Sequence, residues 1–217
     1  MSTLLLRLAA PLQSLGVDSK FERRATSSEP TKSGVIGLIA AALGRRRNEP
    51  LDDLAQLQFG VRVDKPGQVM VDFHTARSTK QTYVTRRHYL EDASFLVGLE
   101  GDGEFLQTLE NAINSPYFPL FLGRRSFPPT GQLFLGVRSL PLKEALQYER
   151  FPYEGVPAAY VFETSDMATH RQRDLPISFS QEHRKYAYRN VDYPTMHDAL
   201  ESLGTHVEDS TDLGVDE

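Results

Sequence analysis

Two adjacent arginines follow a glycine in Phe121-Leu122-Gly123-Arg124-Arg125-Ser126. Two guanidiniums offer planar donor forks that match phosphate oxygens or stack on bases. Gly123 permits a positive φ, so the chain can turn sharply there or bring its backbone close to a ligand. Ser126 adds a hydroxyl. A second candidate is Lys32-Ser33-Gly34, at the start of the best helix in the chain. Free N–H groups at such an end, beside a lysine and a serine, make a natural phosphate seat. A third lies in residues 74–92. Arg77, Lys80, Arg86 and Arg87 alternate there with Tyr83, His88 and Tyr89, and no acid follows His74 until Glu91. Cations for the backbone and rings for the bases suit single-stranded nucleic acid. Each segment also has a plain structural reading, respectively a solvated surface turn, a core helix with an ordinary cap and a mobile surface loop; brought together by the fold, the three would suit a bent polyanion.

The elements that must position these groups are legible from periodicity. Leu4, Leu5, Leu6 and Leu8 form a buried opening strand, followed by a turn through Gln13 and a long polar loop to Pro30. Residues 31–44 have a broad apolar helical face, with Thr31 or Ser33 as cap and Gly44 as stop. A short helix spans 50–57. Residues 58–64 and 68–73 read as two strands of a hairpin turning at Pro66-Gly67. Residues 74–92 read as a protruding basic arm, 93–100 as a strand and 103–114 as an amphipathic helix. A closing strand falls in 133–137. A short helix at 143–147 and strands near 160–163, 175–179 and 185–188 complete the pattern.

This order predicts an α+β fold, a ferredoxin-like (RRM-type) domain over residues 1–140, with the arm at about 74–92 as a protruding basic β-hairpin or thumb. Residues 141–197 form a small β-rich extension and 198–217 an acidic tail. RNA often binds over the sheet of such a domain.

The chain has 217 residues, a net charge of −5 and no cysteine. Disulfides, thiolate metal sites and cysteine nucleophiles are therefore excluded. No apolar run reaches the length of a membrane span and no signal sequence opens the chain, which predicts a cytoplasmic protein with no membrane partner. Seven of the 29 acids lie from Asp198 onward without a single Lys or Arg, leaving 22 acids against 24 Lys and Arg in residues 1–197. No phosphate-binding loop, dinucleotide fingerprint or zinc-helix motif is present. The six histidines are dispersed, and no cofactor, metal or catalytic group is predicted. The one acid–base set that can be drawn for metal-independent RNA cleavage is His88 with Tyr83 and Arg87.

Four segments in order carry a resemblance: residues 5–16 (Leu5-Leu6-Arg7-Leu8-Ala9-Ala10-Pro11-Leu12-Gln13-Ser14-Leu15-Gly16), Pro30 to Leu38, Tyr89 to Phe95, and Tyr117 to Ser126. Together they resemble the CasD family, RAMP-type subunits of the type I-E CRISPR surveillance complex called Cascade. The resemblance implies a non-catalytic subunit that binds and caps the 5′ handle of the CRISPR guide RNA. Its implied partners are the guide, the repeated backbone subunit, the large PAM-reading subunit and, through the complex, target DNA. Lys32, Ser33, Gly34, Gly123, Arg124, Arg125 and Ser126 would hold handle backbone. Arg77, Lys80, Arg86 and Arg87 would belong to the thumb, and Gln13 would touch a base edge. The alternatives are an endoribonuclease that processes repeat RNA and a scaffold that touches only protein.

Overall fold

The computed structural model describes residues 1–16, 19–20, 23–24, 26–77, 82–165 and 170–194. In chain order the elements are β1 (Ser2–Ala9), β2 (Leu12–Gln13), β3 (Ser19–Lys20), β4 (Arg23–Arg24), α1 (Lys32–Ala42), α2 (Asp52–Ala55), β5 (Gln58–Lys65), β6 (Gln68–Arg77), β7 (Thr82–Glu91), β8 (Ser94–Gly101), α3 (Gly103–Asn114), β9 (Phe134–Arg138), α4 (Leu142–Tyr148), β10 (Ala159–Thr164), β11 (His170–Ser178) and β12 (Lys185–Asp192).

A seven-stranded antiparallel sheet runs β11-β12-β10-β5-β8-β1-β9. Its central strands are apolar on both faces, which explains their unbroken hydrophobic runs. Leu4, Leu6, Leu8, Phe59, Val61, Val63, Phe95, Val97 and Leu99 pack into one core with α1 and α3. Leu5, Leu96, Tyr160 and Phe162 face the other way and pack under Leu142, Ala145 and Leu146 of α4. Gly60 and Gly98 are cross-strand partners beneath that helix. A Cβ on Gly98 would stand 2.5 Å from Leu142 Cδ1, and one on Gly60 would stand 2.9 Å from Leu146 Cδ1. The absence of side chains at the paired glycines leaves the room in which α4 lies on the sheet. The open RNA platform expected over this sheet is thus corrected: α4 covers that face.

A second sheet is built on the β6–β7 hairpin, ten residues a side, with β2 and β4 along the other edge of β7 and β3 beyond β4. Two expectations change here. Residues 68–73 do not pair back onto 58–64: β5 lies between β8 and β10, and β6 pairs with β7. And the basic arm expected as a β-hairpin from residue 74 is a hairpin that already begins at Gln68, because it is the outer length of one continuous β6–β7 pair. Pro66-Gly67 is the corner at which the chain leaves the first sheet. Gly67 has φ +70°, and a Cβ there would meet the Glu91 carbonyl oxygen at 2.4 Å. Asp92, at φ 55°, forms the return corner, its N–H donating to the Pro11 carbonyl at 3.1 Å. Outgoing and returning chain are therefore packed against each other at one point.

The carboxyl-terminal strands extend the first sheet and are tied to α1 by buried charge. The Lys32 N–H donates to Asp174 Oδ2 at 2.8 Å, and Asp174 also accepts from Arg189 Nε at 2.6 Å. Glu163 accepts from Lys32 Nζ at 2.7 Å and from the Phe59 N–H at 3.2 Å. Arg62, buried among apolar residues, binds Asp64 through Nε at 2.6 Å. Its Nη1 donates to the carbonyls of Leu146 and Glu149 at the end of α4. A fixed cation at that end complements the exposed carbonyls of the helix. No helix among the described residues is long and apolar enough to cross a membrane.

Candidate nucleic-acid interface

The loop bearing the two arginines is folded by its own backbone. The Leu122 N–H donates to the Phe127 carbonyl at 2.7 Å, and the Phe127 N–H donates to the Arg124 carbonyl at 2.9 Å. Gly123 sits at φ +88°, and a Cβ there would fall 1.8 Å from the Ser14 carbonyl oxygen. The Ser14 N–H in turn donates to the Leu122 carbonyl at 3.2 Å. The close approach predicted for this glycine is thus made to the turn after β2. Just upstream, the N–H groups of Tyr117 and Phe118 donate to the Ala42 and Ala41 carbonyls, closing the end of α1. One segment therefore fixes both the arginine loop and the helix beside it.

A groove of about 680 Å³ opens where these pieces meet. Ser14, Ser33, Gly34, Gly123 and Arg125 line it, together with Arg45, Arg46, Arg47 and Arg184. Phe118, Phe121, Phe179 and Tyr186 give it apolar walls. Three pieces that are distant in sequence, the start of α1, the glycine–arginine loop and the segment between β11 and β12, converge on one concave surface. Arg45 is engaged by the Asp53 carboxylate, which it binds bidentately. Arg46 lies over the Phe118 ring, 5.6 Å from its centroid. Arg125 and Arg184 are exposed and make no ion pair among the described residues.

Arg124 turns away from this groove. Its guanidinium lies 4.6 Å from the Tyr89 ring centroid, and Phe127 meets the same ring edge-on at 5.1 Å. Tyr89 belongs to β7, so the arginine loop is bolted to the root of the hairpin. Ser126 is exposed beside it. Along the hairpin, register and strand alternation put Arg77 and Arg86 on one face with Val69, Val71, Phe73 and Val84. Arg86 lies over Phe73 at 5.7 Å. Arg87 is on the opposite face. His88 and Arg87 thus point to different sides of β7, so the acid–base set drawn from the sequence does not assemble. Lys80 lies outside the described residues.

Two expected contacts are internal, and both readings are corrected. Gln13 is 0% exposed, and its Nε2 donates to the Ala93 carbonyl at 2.7 Å, so no base edge can reach it. Lys32 is 1% exposed with its ammonium on Glu163. Burial pushes that ammonium below the ordinary lysine value, with Glu163 opposing. The first N–H of α1 is likewise taken by Asp174, and the Gly34 N–H by Thr31 Oγ1 at 3.2 Å. The internal carboxylate of Asp174 occupies the phosphate seat expected at Lys32. Arg45, Arg46, Arg47 and Arg184 were not among the expected contacts. The first three directly follow the end of α1, where cations complement the helix carboxyl end, and Arg184 lies far away in the chain.

Residues 3–192 match the family model described as "CRISPR-associated protein (Cas_Cas5)". A curated relative from Escherichia coli (strain K12), "CRISPR system Cascade subunit CasD", is 38% identical, the match covering 68% of this chain and 77% of that protein. A solved structure described as "Crystal structure of Cas protein" is 42% identical with a TM-score of 0.75, covering 88% of this chain and 93% of that one. Another, from a "CRISPR RNA-guided surveillance complex", is 36% identical with a TM-score of 0.77, covering 88% and 89%.

Proposed function

This chain belongs to the Cas5 family of CRISPR-associated proteins, and from that premise we propose that it is a non-catalytic RNA-binding subunit of a Cascade-type surveillance complex, gripping and capping the 5′ handle of the guide RNA. The observation that carries the reading is the convergence of Ser33, Gly34, Gly123, Arg125 and Arg184 on one groove with aromatic walls. Guanidiniums neutralise and orient phosphates, while rings accept unstacked bases. The handle enters this groove. Arg124 and Ser126 stand at its border with the hairpin, and Arg77, Arg86 and Arg87 follow the strands outward along the thumb; Lys80, outside the described residues, joins them by sequence alone. The exposed apolar face of Val69, Phe73 and Val84 gives the thumb a surface for the neighbouring backbone subunit. The large PAM-reading subunit and target DNA complete the assembly.

The strand order β9-β1-β8-β5, with α1 after the first strand and α3 after the third, supports a ferredoxin-like reading of residues 1–140. Residues 141–197 are its extension and 198–217 an acidic tail. No cleavage step is assigned, since His88 and Arg87 diverge.

Binding of a repeat-derived handle RNA, followed by fluorescence anisotropy over a series of salt concentrations, tests this. Arg125→Ala should weaken binding about tenfold. It should also make the dependence of log affinity on log salt shallower by about 0.7, as loss of one phosphate contact to a single strand requires. Arg124→Ala with Arg125→Ala should weaken it further. Unchanged binding by the double variant, or cleavage of the RNA in EDTA, would overturn the reading.

A further inference from the structure

β6 is an edge strand. Its inner side pairs with β7 over consecutive residues from Gln68 to Arg77, and among the described residues no strand pairs with its outer side. Half of its backbone N–H and C=O groups are therefore directed outward along an open edge. Natural edges of this length are blunted by lysine, proline or a bulge. β6 contains no lysine or proline, and its register with β7 runs without a shift. One face of the hairpin beside this edge is apolar and open to solvent. Val69 and Phe73 are each 63% exposed, with Val71 and Val84 alongside. The charged or titratable residues that β6 does carry are Asp72, His74 and Arg77, and the first two form an ion pair on the opposite face.

These features fit a second copy of the same strand. An antiparallel pair about a two-fold axis sets one residue against itself. With Phe73 on the axis, ring meets ring and Asp72 of each copy faces His74 of the other. Val71 then faces Thr75, and Val69 faces Arg77, whose aliphatic stem can cover it. An axis at Asp72 or at His74 would set like groups opposite each other, and one at Val71 or Thr75 would leave Asp72 without a cation across from it. We propose that two copies of this chain, free of other subunits, pair β6 to β6 in this register and so form a continuous four-stranded antiparallel ribbon, β7-β6-β6-β7. The two bodies then lie at opposite ends, about 40 Å apart along the strands. A second copy is the occupant because this one sequence supplies both halves of the complementarity. The pairing uses the surface that the thumb would offer a neighbouring subunit, so it is a storage form of the free chain that assembly draws apart by mass action. It closes an edge that would otherwise template open-ended aggregation. It requires neither RNA nor the groove.

Sedimentation velocity on the full, RNA-free chain tests the association. A monomer–dimer equilibrium should appear between about 1 and 100 µM, the weak range suited to an interface built on one strand pair. His74→Asp should weaken dimerisation about tenfold, because the like-charge clash with Asp72 occurs twice across the axis. Adding Asp72→His exchanges the two signs and should return the affinity to within about twofold of the parent. Thermal melting by circular dichroism checks that each variant is folded. The chain has no cysteine, so single cysteines report the register. Under mild oxidation Phe73→Cys should give a disulfide-linked dimer. Val69→Cys should not, since its two sulfurs would stand about 27 Å apart. A chain that stays monomeric at about 100 µM overturns self-pairing. A dimer indifferent to His74→Asp, or one captured by Val69→Cys and not by Phe73→Cys, overturns the register. A chain that is monomeric alone, yet crosslinks through Val69→Cys to a neighbouring subunit in the assembled complex, shows that the edge receives a foreign strand and overturns the second copy as its occupant. Failure to bind handle RNA would sink the function proposed above and leave each of these outcomes unmoved.

Discussion

Arg62 illustrates how a single buried side chain holds separate elements together. It is 1% exposed, bound to an equally buried Asp64, and it closes the end of α4 through two carbonyls. Arg62→Ala should lower stability by about 3–5 kcal/mol, because Asp64 would be left charged and unpaired in the interior. Urea unfolding would register this as a lower midpoint. Arg62→Met with Asp64→Leu should recover much of the loss, since replacing both ions removes the desolvation penalty together with the pair. Tyr193 gives a pH signature. Burial, and then the charge of Glu29, push its phenol up to about 12. Its folded pKa lies above the unfolded value, so its contribution is complete below about pH 10 and is lost as pH rises toward 12. The stability difference between the parent and Tyr193→Phe should therefore be flat through neutral pH and shrink across that alkaline window. Residue types were legible at this scale, but their burial was not. Lys32 and Gln13 look like contacts in a linear sequence because nothing local announces the carboxylates and carbonyls that claim them. Glu163 and Asp174 lie more than a hundred residues from Lys32, so the pairing exists only once the sheet has formed.

Elements whose apolar residues repeat with one period were readable, and those defined by pairing partners were not. α1, α3, β1 and β8 stand where periodicity puts them, because each buries an apolar face in the core. The β6–β7 hairpin was legible as a basic hairpin but its start was misplaced, since much of each strand is exposed and the polar, basic and aromatic residues obey no burial pattern. Pro66-Gly67 carries the composition of a hairpin turn, yet β5 has better partners in β8 and β10. Within the candidate site, the glycine–arginine loop and the start of α1 were foreseen, whereas Arg184 entered through tertiary folding alone. α4 offers the sharpest test of element placement. Gly98→Ala puts a methyl into Leu142 and should cost about 1–3 kcal/mol as α4 shifts outward. α4 lies across the sheet from α1, so handle-RNA affinity of the folded variant should stay within about twofold of the parent. A large loss of affinity at unchanged fold would mean that α4 supports the groove directly.

At the scale of the molecule, the carboxyl-terminal strands continue the first sheet and the Asp174–Arg189–Lys32–Glu163 network crosses onto α1. Unfolding should consequently be a single transition, with far-UV and near-UV circular dichroism coincident. Asp174→Ala, which strands the buried Arg189 charge, should lower that one transition by about 3–5 kcal/mol. Release of residues 141–194 as an early-melting unit would contradict this. The hairpin obeys a different rule. Its two strands enter and leave the body through one clamp, Gly67 against Glu91 and Asp92 against Pro11. Beyond that clamp, the short strands beside it and the arginine loop at its root, no contact among the described residues fixes where the hairpin must stop. Deleting facing pairs of residues near the tip would shorten it by about 3.4 Å per pair and leave the anchorage unaltered. Its length is a ruler that selection can set against the spacing of whatever stands next to it.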